Sequence, residues 1–163
     1  MATSFVIATL PAGQGTLALC PLPGLGGDLG GDIAQIIAFA PQMVISMTED
    51  TERAALGAAT LPDHLAKAGI AWHAFPIRDY GTPAPGADWA TISRAAHAVL
   101  AQGGRVLAHC RGGLGRSGMV ILRLMIELGE DPDAALNRLR TARPGAVETP
   151  DQARWANVAK DTP

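Results

Sequence analysis

The chain has few of the features that would bind it together or hold it to a surface by anything other than its own core. Its 163 residues include two cysteines, Cys20 and Cys110, far apart in the sequence. Two such residues do not make a disulfide framework, and free thiols belong in a reducing compartment, so a cytoplasmic location is expected. Charge is also scarce: 17% of the residues are charged, with 13 Lys and Arg against 15 Asp and Glu, a formal net charge of -2. That balance gives no general attraction to nucleic acid or to an anionic membrane, so any preference for anions has to be local. Arg78, Arg111, Arg116, Arg143 and Arg154 are the residues that could supply it. Long apolar runs are missing as well. The most apolar stretch, Met119 to Leu128, is too short to span a bilayer, and the first residues lack a basic region and are interrupted at Pro11 and Gly13, so no membrane span and no signal peptide are expected. There is no internal repeat and no long low-complexity linker. His64, His73 and His97 lack metal-ligand spacing with Cys or carboxylates, so neither a metal nor a cofactor is expected. With 48% hydrophobic residues the chain can build one core but hardly two, which predicts a single domain over residues 1–163 and a monomer.

What is present is concentrated in the segment His109-Cys110-Arg111-Gly112-Gly113-Leu114-Gly115-Arg116-Ser117. A short apolar run, Val106-Leu107-Ala108, leads in, and an apolar run from Met119 leads out, so the order is strand, tight loop, helix. Three glycines lie among the five residues between Cys110 and Arg116. They let successive backbone N–H groups turn inward, and such a nest at a helix N-terminus attracts a tetrahedral oxyanion such as phosphate through its donors and the helix dipole. Arg111, Gly112, Gly113, Leu114, Gly115 and Arg116 are therefore the expected substrate-binding residues. The field that holds an anion also favours thiolate over thiol at Cys110, which makes that residue a nucleophile. Arg116 adds a planar fork able to hold two phosphoryl oxygens and to stabilise the charge spread over them in the transition state. A buried strand-end cysteine beside an ordinary glycine turn would not require the arginine, the flanking His and Ser, and the strand-to-helix placement to coincide.

The remaining chain alternates strands and helices. Phe5–Leu10 and Thr16–Leu19 read as strands around a turn, followed by a glycine-rich link and a helix with Asp32 as its cap and Ile33, Ile36 and Ile37 on one face. Met43–Met47 reads as a buried strand, Leu61–Ala68 as a helix ended by Gly69, and Ile70–Phe75 as a strand. Trp89, Ile92, Ala96 and Val99 mark one face of a helix that Gly103-Gly104 stops, and Arg105–His109 is the strand feeding the loop. Asp131 with Pro132, and Thr149 with Pro150, start two more helices. The prediction is an α/β three-layer sandwich with a central, mainly parallel twisted sheet, a helical C-terminal half, and the site at the carboxyl ends of the strands.

A leaving alkoxide needs a proton, and a carboxylic acid on a loop can provide it. Asp79, in the turn-rich run after the Ile70–Phe75 strand, is the best placed, although an aspartate there could also only cap a turn. Asp63 and Asp88 sit where helices start. The Ser117 hydroxyl can donate to the Cys110 sulfur, and His109 is placed to hydrogen-bond backbone behind the loop rather than to act as the base. Glu49 is a candidate buttress for Arg116, but Glu49-Asp50-Thr51-Glu52 reads more simply as a solvated acidic turn.

The Cys-x5-Arg loop resembles the signature of cysteine-dependent protein phosphatases of the dual-specificity type, and its Gly-Gly-Leu-Gly wording is most similar to their kinase-associated branch. Leu17-Ala18-Leu19-Cys20-Pro21-Leu22-Pro23-Gly24 and Pro76-Ile77-Arg78-Asp79-Tyr80-Gly81-Thr82-Pro83 resemble segments of the same branch. The resemblance implies a phosphatase-like fold and a phosphocysteine intermediate formed on Cys110. It also implies Asp79 as the acid, Ser117 as the stabiliser of the departing thiolate, and a protein phosphatase acting on phosphotyrosine or on phosphoserine and phosphothreonine. In that family a glutamine near the start of a late helix helps to position water. Gln152 is similar to it, while Thr149-Pro150-Asp151-Gln152 is also a capping box in which Gln152 would only reach back to the backbone. A kinase partner is a further implication of the branch. A phosphoinositide or other small-molecule phosphatase is the alternative, against which the loop offers no lysine and only Arg111 as a second cation. A phospho-binding module without turnover is disfavoured by the presence of Cys110, Arg116 and Asp79 together, and a redox thiol protein by the lack of a resolving cysteine nearby in the sequence.

Overall fold

The computed structural model describes residues 4–161. In chain order the elements are β1 (Ala8–Ala12), β2 (Gly15–Cys20), α1 (Leu29–Phe39), β3 (Met43–Ser46), α2 (Asp50–Ala55), α3 (Leu61–Lys67), β4 (Ala71–Ala74), α4 (Trp89–Ala101), β5 (Arg105–His109), α5 (Gly115–Glu127), α6 (Pro132–Ala142) and α7 (Pro150–Asn157), with a 3-10 turn over Val158–Asp161. The sheet order is β1-β2-β5-β3-β4. Only the β1–β2 pair is antiparallel; β2, β5, β3 and β4 run parallel. The three central strands are apolar at successive positions because both faces are covered, as parallel sheets require. Leu17, Leu19, Met43, Ile45, Val106 and Ala108 point into a core with α4 to α7, whereas Ala18, Cys20, Val44 and Leu107 point into a second core with α1 and α3. This is the three-layer α/β arrangement expected from the alternation of elements.

Three local expectations are corrected. The first strand is Ala8–Ala12 rather than Phe5–Leu10, and Pro11 lies within it, facing outward. An edge strand tolerates a proline that a central one would not. The cap of α1 is Asp28, which accepts from Gly31 N at 2.9 Å, so the helix begins inside the glycine-rich link. Asp32 is instead buried in the first turn and accepts from Gly24 N at 2.8 Å, fixing the turn before the helix. The acidic segment at Glu49–Glu52 is the start of helix α2, not a free turn.

Helix α5 sits between the sheet and the C-terminal helices. Met119, Val120, Ile121, Leu122, Leu124, Met125 and Ile126 are all buried. Each such side chain contributes about 1.5–3 kcal/mol relative to exposure, so the loop at the N-terminus of this helix is attached to a firmly anchored element.

Candidate active site

The loop leaves β5 at His109 and enters α5 at Gly115, at the carboxyl edge of the parallel strands. Its carbonyls are engaged from outside. Leu22 N donates to Arg111 O at 2.9 Å, Arg143 Nη2 to Gly112 O at 2.9 Å, Arg143 Nε to Gly113 O at 3.0 Å, and Val147 N to Leu114 O at 3.0 Å. Pulling four consecutive C=O groups outward leaves the N–H groups to face the other way, and those of Arg111 to Leu114 meet no acceptor among the described residues. That is the nest expected for an oxyanion. Gly113 makes the turn possible: it has φ +70, and a Cβ there would lie 2.5 Å from the Cys20 carbonyl carbon and 2.6 Å from Pro21 N. Arg143, considered from the sequence as a local cation, is placed as the clamp on this loop.

Cys110 is 3% exposed, and its Sγ lies 3.0 Å from Ser117 Oγ. Behind it His109 is fully buried, which pushes its imidazole down to about 4 and keeps it neutral. The Cys110 carbonyl, 3.2 Å from Nδ1, can only accept, so the proton is assigned to Nδ1, and Nε2 accepts from the Ser46 hydroxyl. His109 thus ties the loop to β3 through neutral hydrogen bonds.

Arg116 is 1% exposed and held from several sides. Its Nη1 donates to Glu52 Oε1 at 2.8 Å, to Ile77 O at 2.9 Å and to Met47 O at 3.4 Å; its Nη2 lies 2.8 Å from Glu52 Oε2 and 3.0 Å from Asp79 Oδ1. Burial alone would lower its pKa, but the Glu52 hydrogen bonds and the charges of Cys110, Glu52 and Asp79 outweigh burial and raise it. The same Arg116 hydrogen bonds hold Glu52 below the ordinary carboxylate range. The Arg116 Nε–H is buried with no acceptor among the described residues, whereas Nη2 already meets Glu52 and Asp79, so an oxyanion that takes the Nε–Nη2 edge displaces Asp79 from it. The buttress of Arg116 is therefore Glu52, on the first turn of α2, rather than Glu49. Its signal lay in the Glu-x-x-Glu spacing, since Glu49 N donates to Glu52 Oε1 at 3.2 Å as at a helix start. Nothing local pointed to an arginine so much later in the chain.

Asp79 follows β4, with its side chain 42% exposed and its carboxylate turned to Arg116. Tyr80 beside it has φ +62, and Tyr80 N donates to Asp79 Oδ1 at 3.0 Å. Asp88 is engaged as the cap of α4, accepting from Thr91 N and Oγ1, and Asp63 lies exposed in the first turn of α3. Gln152 is buried and does two things. It forms the capping box with Thr149, and its Oε1 accepts from Glu148 N at 2.9 Å while its Nε2 donates to Gly81 O at 3.2 Å, two residues beyond Asp79. Arg111 lines the mouth, a cavity of about 470 Å³ shared with Leu25, Asp79, Tyr80, Gly112, Leu114 and Glu148. Arg78 is exposed, and Arg154 pairs with Asp151 on the surface.

A thiol at the base of an inward-facing nest thus stands near a buried guanidinium, which a half-exposed carboxylate contacts from the mouth. A family model described as Tc-R-P, a DSP-PTPase phosphatase of polymorphic toxin systems, matches residues 41–130. Cyclin-dependent kinase inhibitor 3 of Rattus norvegicus is 31% identical over 153 residues, covering 89% of this chain and 72% of the relative, and the Homo sapiens protein of the same name is 29% identical over 153 residues with the same coverage. A solved structure of kinase associated phosphatase with its catalytic cysteine substituted by serine matches with a TM-score of 0.85 at 26% identity, over 98% of this chain and 96% of that one. Tk-PTP in its active form matches with a TM-score of 0.72 at 29% identity, over 90% and 92%. The chain belongs to the dual-specificity and protein-tyrosine family of cysteine phosphatases, and as such is a phosphoric monoester hydrolase.

Proposed function

We propose that the protein dephosphorylates proteins through a phosphocysteine intermediate. The thiolate of Cys110 attacks phosphorus, the P–O bond to the substrate breaks, and the leaving oxygen takes the proton of Asp79. Water then attacks the thiophosphate with Asp79 as base, the S–P bond breaks, and inorganic phosphate leaves. Arg116 and the N–H groups of Arg111 to Gly115 bind the three non-bridging oxygens, and because those donors are already oriented they cost no reorganisation as charge develops. Ser117 donates to the sulfur when it leaves as thiolate. Gln152, reaching both the start of α7 and the Gly81 carbonyl, orients the attacking water. The observation that carries the reading is the nest itself: the N–H groups of Arg111 to Leu114 meet no acceptor among the described residues, and they lie between the Cys110 thiol, 3.0 Å from Ser117 Oγ, and the buried Arg116 guanidinium.

The mechanism needs Cys110 reduced, which assigns the protein to a reducing compartment such as the cytoplasm. Relatives named for kinases make a phosphorylated kinase the first macromolecular substrate to present. The test is a turnover panel of phosphotyrosyl and phosphothreonyl peptides and soluble phosphoinositides, run with the wild-type protein and with Cys110→Ser. Phosphopeptide turnover lost in Cys110→Ser, with phosphate-analogue binding retained, is the expected result. Activity above a few per cent in that variant overturns the covalent mechanism, and preferential turnover of phosphoinositides overturns the protein-substrate reading.

A further inference from the structure

Glu148 stands at the rim of the phosphate nest and has no part in the chemistry above. The residue before it, Val147, has φ +65, a left-handed conformation that a β-branched side chain adopts only under constraint. The constraint is visible on every side. Val147 N donates to Leu114 O of the catalytic loop at 3.0 Å, Arg140 donates to the Ala146 and Val147 carbonyls at 2.8 and 2.9 Å, and Glu148 N donates to Gln152 Oε1 at 2.9 Å. The kink carries the exposed Glu148 side chain over the loop, where its Oε1 is close enough to Gly115 that a Cβ there would collide with it. The carboxylate thus lies directly against the first residue of α5.

A carboxylate beside a site built for a dianion opposes the ligand that the site exists to bind. Three charged side chains line the mouth: Asp79, Arg111 and Glu148. Asp79 is engaged by Arg116, and no described residue donates to the Glu148 carboxylate. The opposition becomes an attraction if the substrate brings a positive charge next to its phosphate.

We propose that Glu148 is a specificity-determining residue that selects phosphoprotein sites with Lys or Arg beside the phosphorylated residue and disfavours substrates carrying further anionic groups there. The inference rests on the phosphoprotein reading given above. Exposed charge pairs alter a binding constant by up to roughly fivefold, so attraction of one flank and repulsion of the other by Glu148 together give up to about 25-fold, which the opposing charge of Arg111 in the same mouth lowers to about tenfold.

The experiment compares three phosphopeptides that differ only in having Arg, Ala or Glu on both sides of the phosphorylated residue, together with a soluble inositol polyphosphate. The readout is the ratio of kcat/KM for the Arg-flanked to the Glu-flanked peptide within each preparation, which does not depend on how much of the preparation is folded. We expect a ratio of about 10 for the wild-type protein, a fall toward 1 in Glu148→Gln, inversion in Glu148→Lys, and a fall for the wild type at high salt, as solvent-exposed charges require. A wild-type ratio near 1, or a ratio that Glu148→Gln leaves unchanged while the peptides are turned over, overturns this proposal alone. Turnover of the inositol polyphosphate with none of the three peptides overturns the phosphoprotein reading beneath it.

Discussion

Replacing Glu52 by Gln separates the positioning of Arg116 from its charge. In the native protein the Glu52 carboxylate takes two hydrogen bonds of 2.8 Å from a guanidinium that is 1% exposed. Hydrogen bonds to charged groups contribute roughly 1.5–3 kcal/mol, and removing one partner of a fully buried pair costs about 3–5 kcal/mol. Glutamine keeps one acceptor, Asp79 and the carbonyls of Ile77 and Met47 remain, and Glu52 is itself only partly buried, so the expected loss falls below that range, at about 2–3 kcal/mol. For a domain of this size that corresponds to a fall in Tm of about 5–10 °C, readable by calorimetry or dye-monitored melting. Activity should fall further than stability explains. With Glu52 neutral, Asp79 is the remaining carboxylate partner of Arg116, so the acid is drawn onto the guanidinium and the Nε–Nη2 edge turns away from the nest. Misplacement of a binding group by about 1 Å can cost on the order of 10²-fold, and a loss of that order in kcat/KM for an aryl phosphate is expected at temperatures well below the Tm. Glu52→Asp, which keeps the charge with a shorter reach, should lie between. A Glu52→Gln protein with wild-type Tm and wild-type kcat/KM would refute the reasoning, and a lowered Tm with full activity would confine Glu52 to stability.

Asp79→Asn should slow phosphopeptides with basic leaving groups by about 10²–10⁴-fold while sparing an aryl phosphate whose phenolate departs without a proton; equal loss on both substrates refutes its role as acid. Gln152→Ala should let phosphocysteine accumulate, seen as a burst followed by slow turnover, whereas a lower Tm with unchanged kinetics would leave only the capping box. The neutral, buried His109 makes stability fall with acidity: the unfolded chain takes up this proton near pH 6.5 and the folded chain only near pH 4, so its contribution is full above that window and lost as pH drops through it. The urea-unfolding free energy should be about 2 kcal/mol lower at pH 5 than at pH 7, and a flat profile there refutes the assignment.

The parts of the molecule that were legible in the sequence are those governed by near neighbours. Three glycines, a cysteine and an arginine within one loop announce a nest, although Arg143 and the Leu22 and Val147 N–H groups that hold its carbonyls outward do not show locally, and the apolar run after Ser117 has to be buried. The register of alternating residues in Leu17–Cys20 and Met43–Ser46 likewise follows from a sheet covered on both faces. What sequence reading misplaced depends on distant partners. Glu52 looked like surface charge because the guanidinium that makes it a buttress is brought to it by the sheet. Asp32 looked like a cap because it stands just before the apolar face of α1, and its partner, Gly24 N, lies eight residues back in the link. Sequence reading ends the first strand at Leu10, before Pro11, whereas β1 runs through the proline because it is an edge strand. Glu148 carried no sequence signal, since its orientation comes from a left-handed valine that no propensity would place there.

The sheet order has a consequence for how the chain reaches its working state. Strand β5 lies between β2 and β3, with Leu17 opposite Val106 and Met43 opposite the same residue on the other side. These pairings join segments far apart along the polypeptide, and such non-local closure is slow because loop entropy is lost before contacts reward it. During synthesis β2 and β3 emerge long before β5 and wait with open parallel edges, the state most exposed to wrong pairing. The strand that fills the gap is also the one that ends at Cys110, so closing the middle of the sheet and assembling the nucleophile's nest are one event. A chain arrested before that event holds no organised catalyst, and turnover per molecule therefore measures the fraction of chains that have completed the sheet.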